Sequence, residues 1–208
     1  MGGFVIDKKD LTQALKEVTP CASKDEKLAP INQVQIAIIE GVPLLLATNR
    51  IICIAKRLDA VATRTGEMPN AALSLADCKS LKTWLAKKRG MVTLVFDKEH
   101  VQATQGTDRI EFNNAALAKP LDIIGMIKLT VGNATDTINT NELLPVNPHL
   151  LRHLKGIAVR PVAAGATAWV FHSLYDESVI GVVMPMCLAE EKQSIDYLRH
   201  MAGIGGAK

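Results

Sequence analysis

Residues 4–18 read FVIDKKDLTQALKEV, a short apolar run followed by a helical pattern. The first part, residues 4–7, predicts a short strand, and Asp7 is the predicted N-cap of the helix that follows. From residue 8 to residue 18, apolar side chains recur at helical spacing on one face: Leu11, Ala14, Leu15 and Val18. The stretch therefore predicts a strand that leads directly into an amphipathic helix.

Three further strands are predicted after this helix. Apolar residues alternate over residues 34–38, Glu40-Gly41 has the composition of a turn, and residues 43–48 are again rich in apolar side chains. Residues 51–58 predict the last strand of the series. The order strand, helix, strand, strand, strand makes one βαβββ unit.

The same order of elements recurs further along the chain, and an internal repeat constrains the architecture more than a single pattern does. The second copy has a predicted strand at 72–75, a helix at 76–88 with Cys78, Leu81, Trp84 and Leu85 facing inward, and strands at 92–96, 100–104 and 109–112. The third copy has a helix capped by Asn147 with Pro148 at its first position, and strands at 159–162, 166–172 and 179–184.

The connection between the second and third copies, residues 113–145, is less regular, and we interpret its 126–131 run as a strand. Each predicted helix has one apolar stripe, which must be buried against a sheet. The repeats therefore predict an α+β fold in which antiparallel sheets lie outside and the helices lie together on one face.

The composition indicates a folded protein. The chain has 208 residues and a mass of 22.5 kDa, with 48% hydrophobic and 22% charged residues, so wholesale disorder is excluded. Aromatic residues make up only 4%, which argues against recognition of single-stranded nucleic acid by base stacking. The net charge of +3 is too small to indicate nucleic-acid binding by itself, so the placement of the charges must decide.

No metal site or cofactor is predicted. The four cysteines are far apart and form no CxxC pair, and His149 and His153 lack the glutamate of an HExxH motif. We also find no charged leader and no apolar run of the roughly 18 residues that a membrane span needs. The expectation is a cytosolic protein without membrane contact.

Several motifs resemble the bacterial sliding clamp, the β subunit of DNA polymerase III. Residues 182–188, VVMPMCL, are similar to the terminal V-V-M-P-M-R-L strand of that family, and residues 147–151, NPHLL, resemble its N-P-x-x-L helix start. Residues 28–31, LAPI, and residues 44–49, LLLATN, are similar to its L-P-I-L and L-x-L-x-a-T-D segments. The βαβββ repeat is also what clamp domains contain in pairs, so the resemblance implies a shortened clamp.

The chain also departs from the clamp pattern. It has room for one complete clamp-like domain, residues 1–117, and a short second domain, residues 118–208, with an added C-terminal helix near residues 190–202. Cys187 stands where the family has arginine, and Asn49 stands where it has aspartate. If the ring of six domains is kept, two domains per chain imply a homotrimer.

The resemblance implies duplex DNA as a partner, contacted nonspecifically through basic helix faces that touch phosphates without reading sequence. The same lysines and arginines could equally form ordinary solvated helix faces. Lys24 and Lys27 fall where the family has a DNA-contacting loop. The predicted DNA-binding residues are Lys9, Lys16, Lys24, Lys27, Lys79, Lys82, Lys88, Arg152 and Lys155.

The resemblance also implies a hydrophobic groove near the C-terminus that receives peptides of polymerases or clamp loaders. Methionine side chains suit an adaptable apolar pocket, although the same residues could be buried strand ends. The predicted groove residues are Val183, Met184, Pro185, Met186 and Leu188.

Three functions stay open. The first is a clamp-like DNA-tethering or processivity factor, and the second is a clamp mimic that acts as a protein-interaction or regulatory module without encircling DNA. The third, an enzyme, is disfavoured because neither a nucleophile motif nor a paired-carboxylate site is recognisable. No catalytic residue is assigned.

Overall fold

The computed structural model describes residues 2–63, 71–116, 121–132, 157–161, 169–173 and 175–183. The first repeat contains β1 (Gly2–Asp7), α1 (Lys8–Val18), a 3-10 turn (Thr19–Cys21), β2 (Gln33–Ile39), β3 (Val42–Thr48) and β4 (Ile52–Arg57). A short strand, β5 (Ala60–Ala62), precedes the second repeat, which contains β6 (Ala71–Ser74), α2 (Leu75–Ala86), β7 (Met91–Phe96), β8 (His100–Gln105) and β9 (Asp108–Asn113). The remaining elements are α3 (Ile123–Gly132), β10 (Ile157–Pro161), β11 (Trp169–Ser173) and β12 (Val179–Val183).

Local sequence accounts for the two repeat-related helices. The Asp7 side chain accepts a hydrogen bond from the Lys9 amide at 2.7 Å and so caps α1, as predicted. Ser74 caps α2 by accepting from the Asp77 amide at 3.1 Å. The predicted apolar stripe of α1 is buried in full, whereas in α2 Cys78, Leu81 and Leu85 are buried and Trp84 is half-buried.

The strands form two antiparallel sheets. One has the order β5-β1-β7-β8-β9, and the other has the order β10-β11-β12-β4-β3-β2-β6. The first strand of each repeat pairs in the sheet of the other repeat, since β1 pairs with β7 and β6 pairs with β2. The two repeats therefore interlock into a single layered unit, with α1 and α2 side by side over a shared core.

The strands β10 to β12 extend the second sheet through the pairing of β12 with β4, in which Gly181 lies opposite Ile54 and Val183 opposite Ile52. We call this pairing the β4–β12 joint. Phe171 on β11 and Val183 are completely buried in the same core as α1 and α2. The predicted α+β fold with antiparallel sheets is confirmed.

One prediction is wrong, because residues 126–131 lie in the helix α3 and not in a strand. Ile123 and Ile127, four residues apart, are buried against Leu46, Ala55 and Val182 on the sheet face that points away from α1. A strand would place Ile127 on the same face as Leu129, yet Leu129 is 69% exposed. The helical period therefore explains the burial.

Candidate DNA- and partner-binding surfaces

The helices α1 and α2 carry four of the predicted DNA-binding lysines. Lys9 and Lys16, seven residues apart, are exposed on the face of α1 opposite its buried stripe, and Lys79 is exposed on α2. Lys82 on α2 is half-buried. Because α1 and α2 contact each other, the structure brings these charges onto neighbouring helices.

The predicted loop lysines differ from the helix lysines in their surroundings. Lys24 and Lys27 are exposed in the loop between the 3-10 turn and β2, and Asp25 and Glu26, which lie between them, are also exposed. The loop is fixed internally, since the Lys27 amide donates to Asp25 Oδ1 at 3.0 Å. Its local charge is therefore balanced, in contrast to the helix faces.

Lys88 is engaged by other side chains. Its ammonium pairs with Asp108, and Nζ lies 4.6 Å from the centre of the Trp84 ring. Only 10% of its side chain is exposed. An ion pair with Asp108 and a cation–π contact leave less of this charge for a phosphate. A contact between Lys88 and DNA stays a prediction.

Most of the predicted groove and two of the predicted DNA-binding residues lie outside the described residues, namely Met184, Pro185, Met186, Leu188, Arg152 and Lys155. The predicted third helix and the added C-terminal helix also lie outside them. Val183 is described, is completely buried and pairs with Ile52. The structure thus makes Val183 a core residue at the end of β12.

The turn between β3 and β4 lies beside this end of β12. From the sequence, only its Asn49 stands out, as a departure from the clamp pattern, and no binding role is predicted for the turn. Asn49 Oδ1 accepts hydrogen bonds from the Ile51 amide at 3.0 Å and the Ile52 amide at 2.9 Å. Arg50 has a φ of 77°, a left-handed conformation that is unusual for a residue other than glycine. Ile51 is 49% exposed, so the turn presents an apolar and a basic side chain at this edge.

A second feature missed from the sequence is an ion cluster at the other end of the β4–β12 joint. Lys56 on β4 is 8% exposed, and its ammonium pairs with Asp176, which precedes β12. Glu17 Oε2 on α1 lies 3.3 Å from Lys56 Nζ and makes no hydrogen bond, so the lysine charge compensates it. We call these three residues the Lys56 cluster.

The cluster borders a polar cleft of about 640 Å³, lined by α1, the end of β4 and the turn before β12. Burial raises the pKa of Asp176, but hydrogen bonds from Lys56 and Ser178 outweigh it and hold the pKa below its ordinary value. Asp176 is therefore ionised at neutral pH, as the ion pair requires.

The buried cysteines give no sign of reactivity. Burial is the main cause that raises the pKa of the Cys21 and Cys78 thiols to about 12. Both thiols are consequently protonated at neutral pH and serve as core side chains. In the part of the chain that the structure describes, no three histidine, cysteine or carboxylate side chains are grouped as a metal would require.

None of the helices that can be described has the length and apolar character needed to cross a membrane.

Comparison with known proteins identifies the fold. No protein-family model matches the chain, and no curated protein sequence matches it significantly. The beta subunit of DNA polymerase III from Thermotoga maritima superposes with a TM-score of 0.68 at 15% identity, over 91% of this chain and 66% of that chain. The Bartonella birtlesii sliding clamp bound to griselimycin gives a TM-score of 0.70 at 13% identity, over 90% and 66%.

A sliding clamp from Pseudomonas aeruginosa, solved with a ligand, gives a TM-score of 0.70 at 13% identity, over 90% of this chain and 67% of that one. The chain thus spans about two thirds of the length of these clamp subunits. Since the identities are low, the similarity concerns the fold. The interlocked repeats and the two antiparallel sheets are the fold of the bacterial sliding clamp.

Proposed function

We propose that the protein is a sliding-clamp-like DNA-tethering or processivity factor, with no enzymatic activity of its own. The main support is the pair of neighbouring helices whose buried stripes leave Lys9, Lys16 and Lys79 exposed. Lysines on helices without base-reading side chains contact phosphates, so binding to duplex DNA should be independent of sequence.

Reversing the three exposed helix charges, with Lys9→Glu, Lys16→Glu and Lys79→Glu together, should weaken duplex binding by about ten- to a hundredfold. The slope of log K against log salt should fall by about 2 to 3, since each phosphate contact contributes about 0.9. The measurement is fluorescence anisotropy of a labelled duplex between about 50 and 200 mM salt.

A matched control reverses three charges elsewhere, with Lys98→Glu, Arg109→Glu and Lys128→Glu, all at exposed positions. This control has the same net charge as the test variant, so it should retain most of the affinity if the helix face is the contact surface. Equal losses in both variants would mean that only the overall charge matters and would contradict the proposed surface.

We further propose that an apolar groove at the end of β12 binds peptides of replication or repair proteins. The exposed Ile51, beside the buried end of β12, supports this position. Griselimycin, which is bound in the Bartonella birtlesii clamp structure, provides a probe. We expect it to bind this protein, and Ile51→Glu should weaken binding about tenfold, since charge would enter an apolar contact.

The control for this experiment is Val42→Glu, which changes another apolar residue that is 37% exposed, at the opposite end of β3. It should leave griselimycin affinity within about twofold. If calorimetry detects no binding, or if Ile51→Glu binds as tightly as the unaltered protein, the proposed groove does not lie beside this turn.

A second candidate function, an interaction module that does not encircle DNA, is favoured by one observation. The last strands of the first and third repeats, β4 and β12, pair with each other, and β4 is paired with β3 on its other side. If two copies joined as β4 and β12 join within one chain, β9 would have to pair with the last strand of a repeat in another copy. Among the strands that the structure describes, the other two last strands, β4 and β12, are each paired on both sides, so neither is available. Light scattering distinguishes the candidates: a ring requires three times the mass of one 22.5 kDa chain.

A further inference from the structure

We propose that the edge strand β9, together with the groove between it and α2, binds an extended acidic segment of a partner protein by strand addition. This site is separate from the groove at the end of β12, and it shares Lys79 with the helix surface that we propose for DNA. Strand addition needs an open sheet edge that can form main-chain hydrogen bonds. It also needs a neighbouring pocket that receives every second side chain of the added strand. The region around β9 provides both.

The open edge is defined by the β8–β9 hairpin. Gln105 and Asp108 flank a two-residue turn, and the Asn114 amide donates to the Glu99 carbonyl at 2.7 Å. Since residues of an antiparallel pair alternate in their hydrogen bonding, the even-numbered residues of β9 bond to β8. The backbone groups of Arg109, Glu111 and Asn113 therefore point away from the sheet.

Nothing that the structure describes covers this edge. β9 is the terminal strand of its sheet, and Arg109, Glu111 and Asn113 are all exposed. By contrast, the last strand of the third repeat, β12, is paired on both sides. Within the described ranges, β9 thus has no neighbour on this side, and a strand from another molecule would complete its hydrogen bonds.

The pocket beside the edge has a volume of about 530 Å³ and lies between α2 and β9. Its apolar surface comes from the half-buried Trp84 and Ile110. In a strand added to β9, every second side chain points to this face of the sheet. An apolar side chain at one such position would cover Trp84 and Ile110.

The charges around the pocket indicate an acidic occupant. Among the described residues that line it, Lys79 and Lys87 are the ionisable ones, and both are exposed on the α2 side. Asp108, the carboxylate of β9 on the same face as Ile110, pairs with Lys88, whose ammonium also lies over the Trp84 ring. The other carboxylate of β9, Glu111, lies on the opposite face beside His100 and Gln102. Complementary charge favours carboxylates on either side of the apolar anchor and disfavours a basic segment.

The test uses the full chain and a capped heptapeptide that alternates glutamate with valine, compared with one that alternates lysine with valine. Titration should show binding of the acidic peptide only. Hydrogen exchange of the complex should slow at the amides of Arg109, Glu111 and Asn113, with little change at Asp108, Ile110 and Phe112, which already bond to β8. This alternation is specific to strand addition.

Two variants test the pocket. Lys87→Glu reverses a lining charge, and Thr83→Glu adds a negative charge at an exposed lining residue. Each should weaken binding of the acidic peptide about tenfold, whereas Lys98→Glu, a charge reversal at the exposed β7–β8 turn, should leave it within about twofold.

Three results would overturn the proposal. Equal binding of the lysine peptide would contradict the inference that Lys79 and Lys87 select an acidic segment. Binding without slower exchange at the three odd-numbered amides would exclude strand addition. Protection of these amides by duplex DNA, or by raising the protein concentration without peptide, would assign the edge to DNA or to a second copy of this chain.

Discussion

Replacing Gly181 by alanine should destabilise the protein by about 1–3 kcal/mol and loosen the β4–β12 joint first. A Cβ atom at this position would overlap the carbonyl oxygen of Cys53 and the ring of Phe171. Phe171 is completely buried and cannot move without disturbing the core, and the Cys53 carbonyl belongs to the paired strand. Alanine would therefore push β12 away from β4.

Urea unfolding followed by circular dichroism measures the loss, and hydrogen exchange locates it. Amides of β4 and β12 should exchange faster in the variant, whereas those of β1 and β7 should change less. Gly125→Ala is the control, because the three atoms nearest to its Cβ all belong to the exposed side chain of Asp122. Asp122 accepts a hydrogen bond from the Gly125 amide at 2.7 Å, so any loss in this variant should begin at the start of α3. Unaltered exchange in β4 and β12 would mean that the close approach at Gly181 is unimportant for the joint.

The sequence alone is sufficient to predict an element when its buried side chains recur at a regular helical or strand spacing. The predicted bounds of α1, residues 8–18, agree with the structure because its four buried side chains keep strict helical spacing. The apolar run of α3 was misread because its exposed residues, Leu129 and Val131, are as apolar as its buried ones. Lys128 is the one charged residue of the run, so neither a period of two nor one of 3.6 stands out.

Pairings between distant residues could not be predicted in the same way. The exchange of first strands between repeats depends on how β1 meets β7, about 90 residues away, and local sequence does not encode such partners. The pairing of Lys88 with Asp108 was missed for the same reason, so a lysine with the composition of a DNA contact is engaged within the fold. The Lys56 cluster joins three separate segments, which sequence spacing alone cannot bring together.

Replacing Lys56 by alanine should destabilise the protein by about 2–4 kcal/mol, the largest effect that we expect from a single charged residue. Removing one member of a buried ion pair leaves the other charges uncompensated, which typically costs about 3–5 kcal/mol. The effect should be smaller here because the Asp176 side chain is 36% exposed and can be solvated. Glu17 is 13% exposed and would carry most of the penalty.

The triple variant Lys56→Ala, Glu17→Gln and Asp176→Asn distinguishes charge from packing. It neutralises the two carboxylates that Lys56→Ala leaves uncompensated but does not restore the lysine stem, so it should recover most of the stability lost in Lys56→Ala if charge is the cause. Lys128→Ala, at an exposed position on α3, should change the free energy of unfolding by less than about 0.5 kcal/mol. A triple variant as unstable as Lys56→Ala would indicate a packing role for the lysine stem.

The cluster should also make stability depend on acid pH. The pKa of Asp176 is lower in the folded protein than its ordinary value of 3.8, so its ion pair stabilises the fold above that value. The contribution should decline as the pH falls from about 4 through the folded pKa, because the unfolded state binds the proton more readily. In urea titrations, Asp176→Asn should show a weaker fall in stability over this range than the unaltered protein. Parallel pH profiles would mean that the Asp176 carboxylate gains nothing from Lys56 in the folded state.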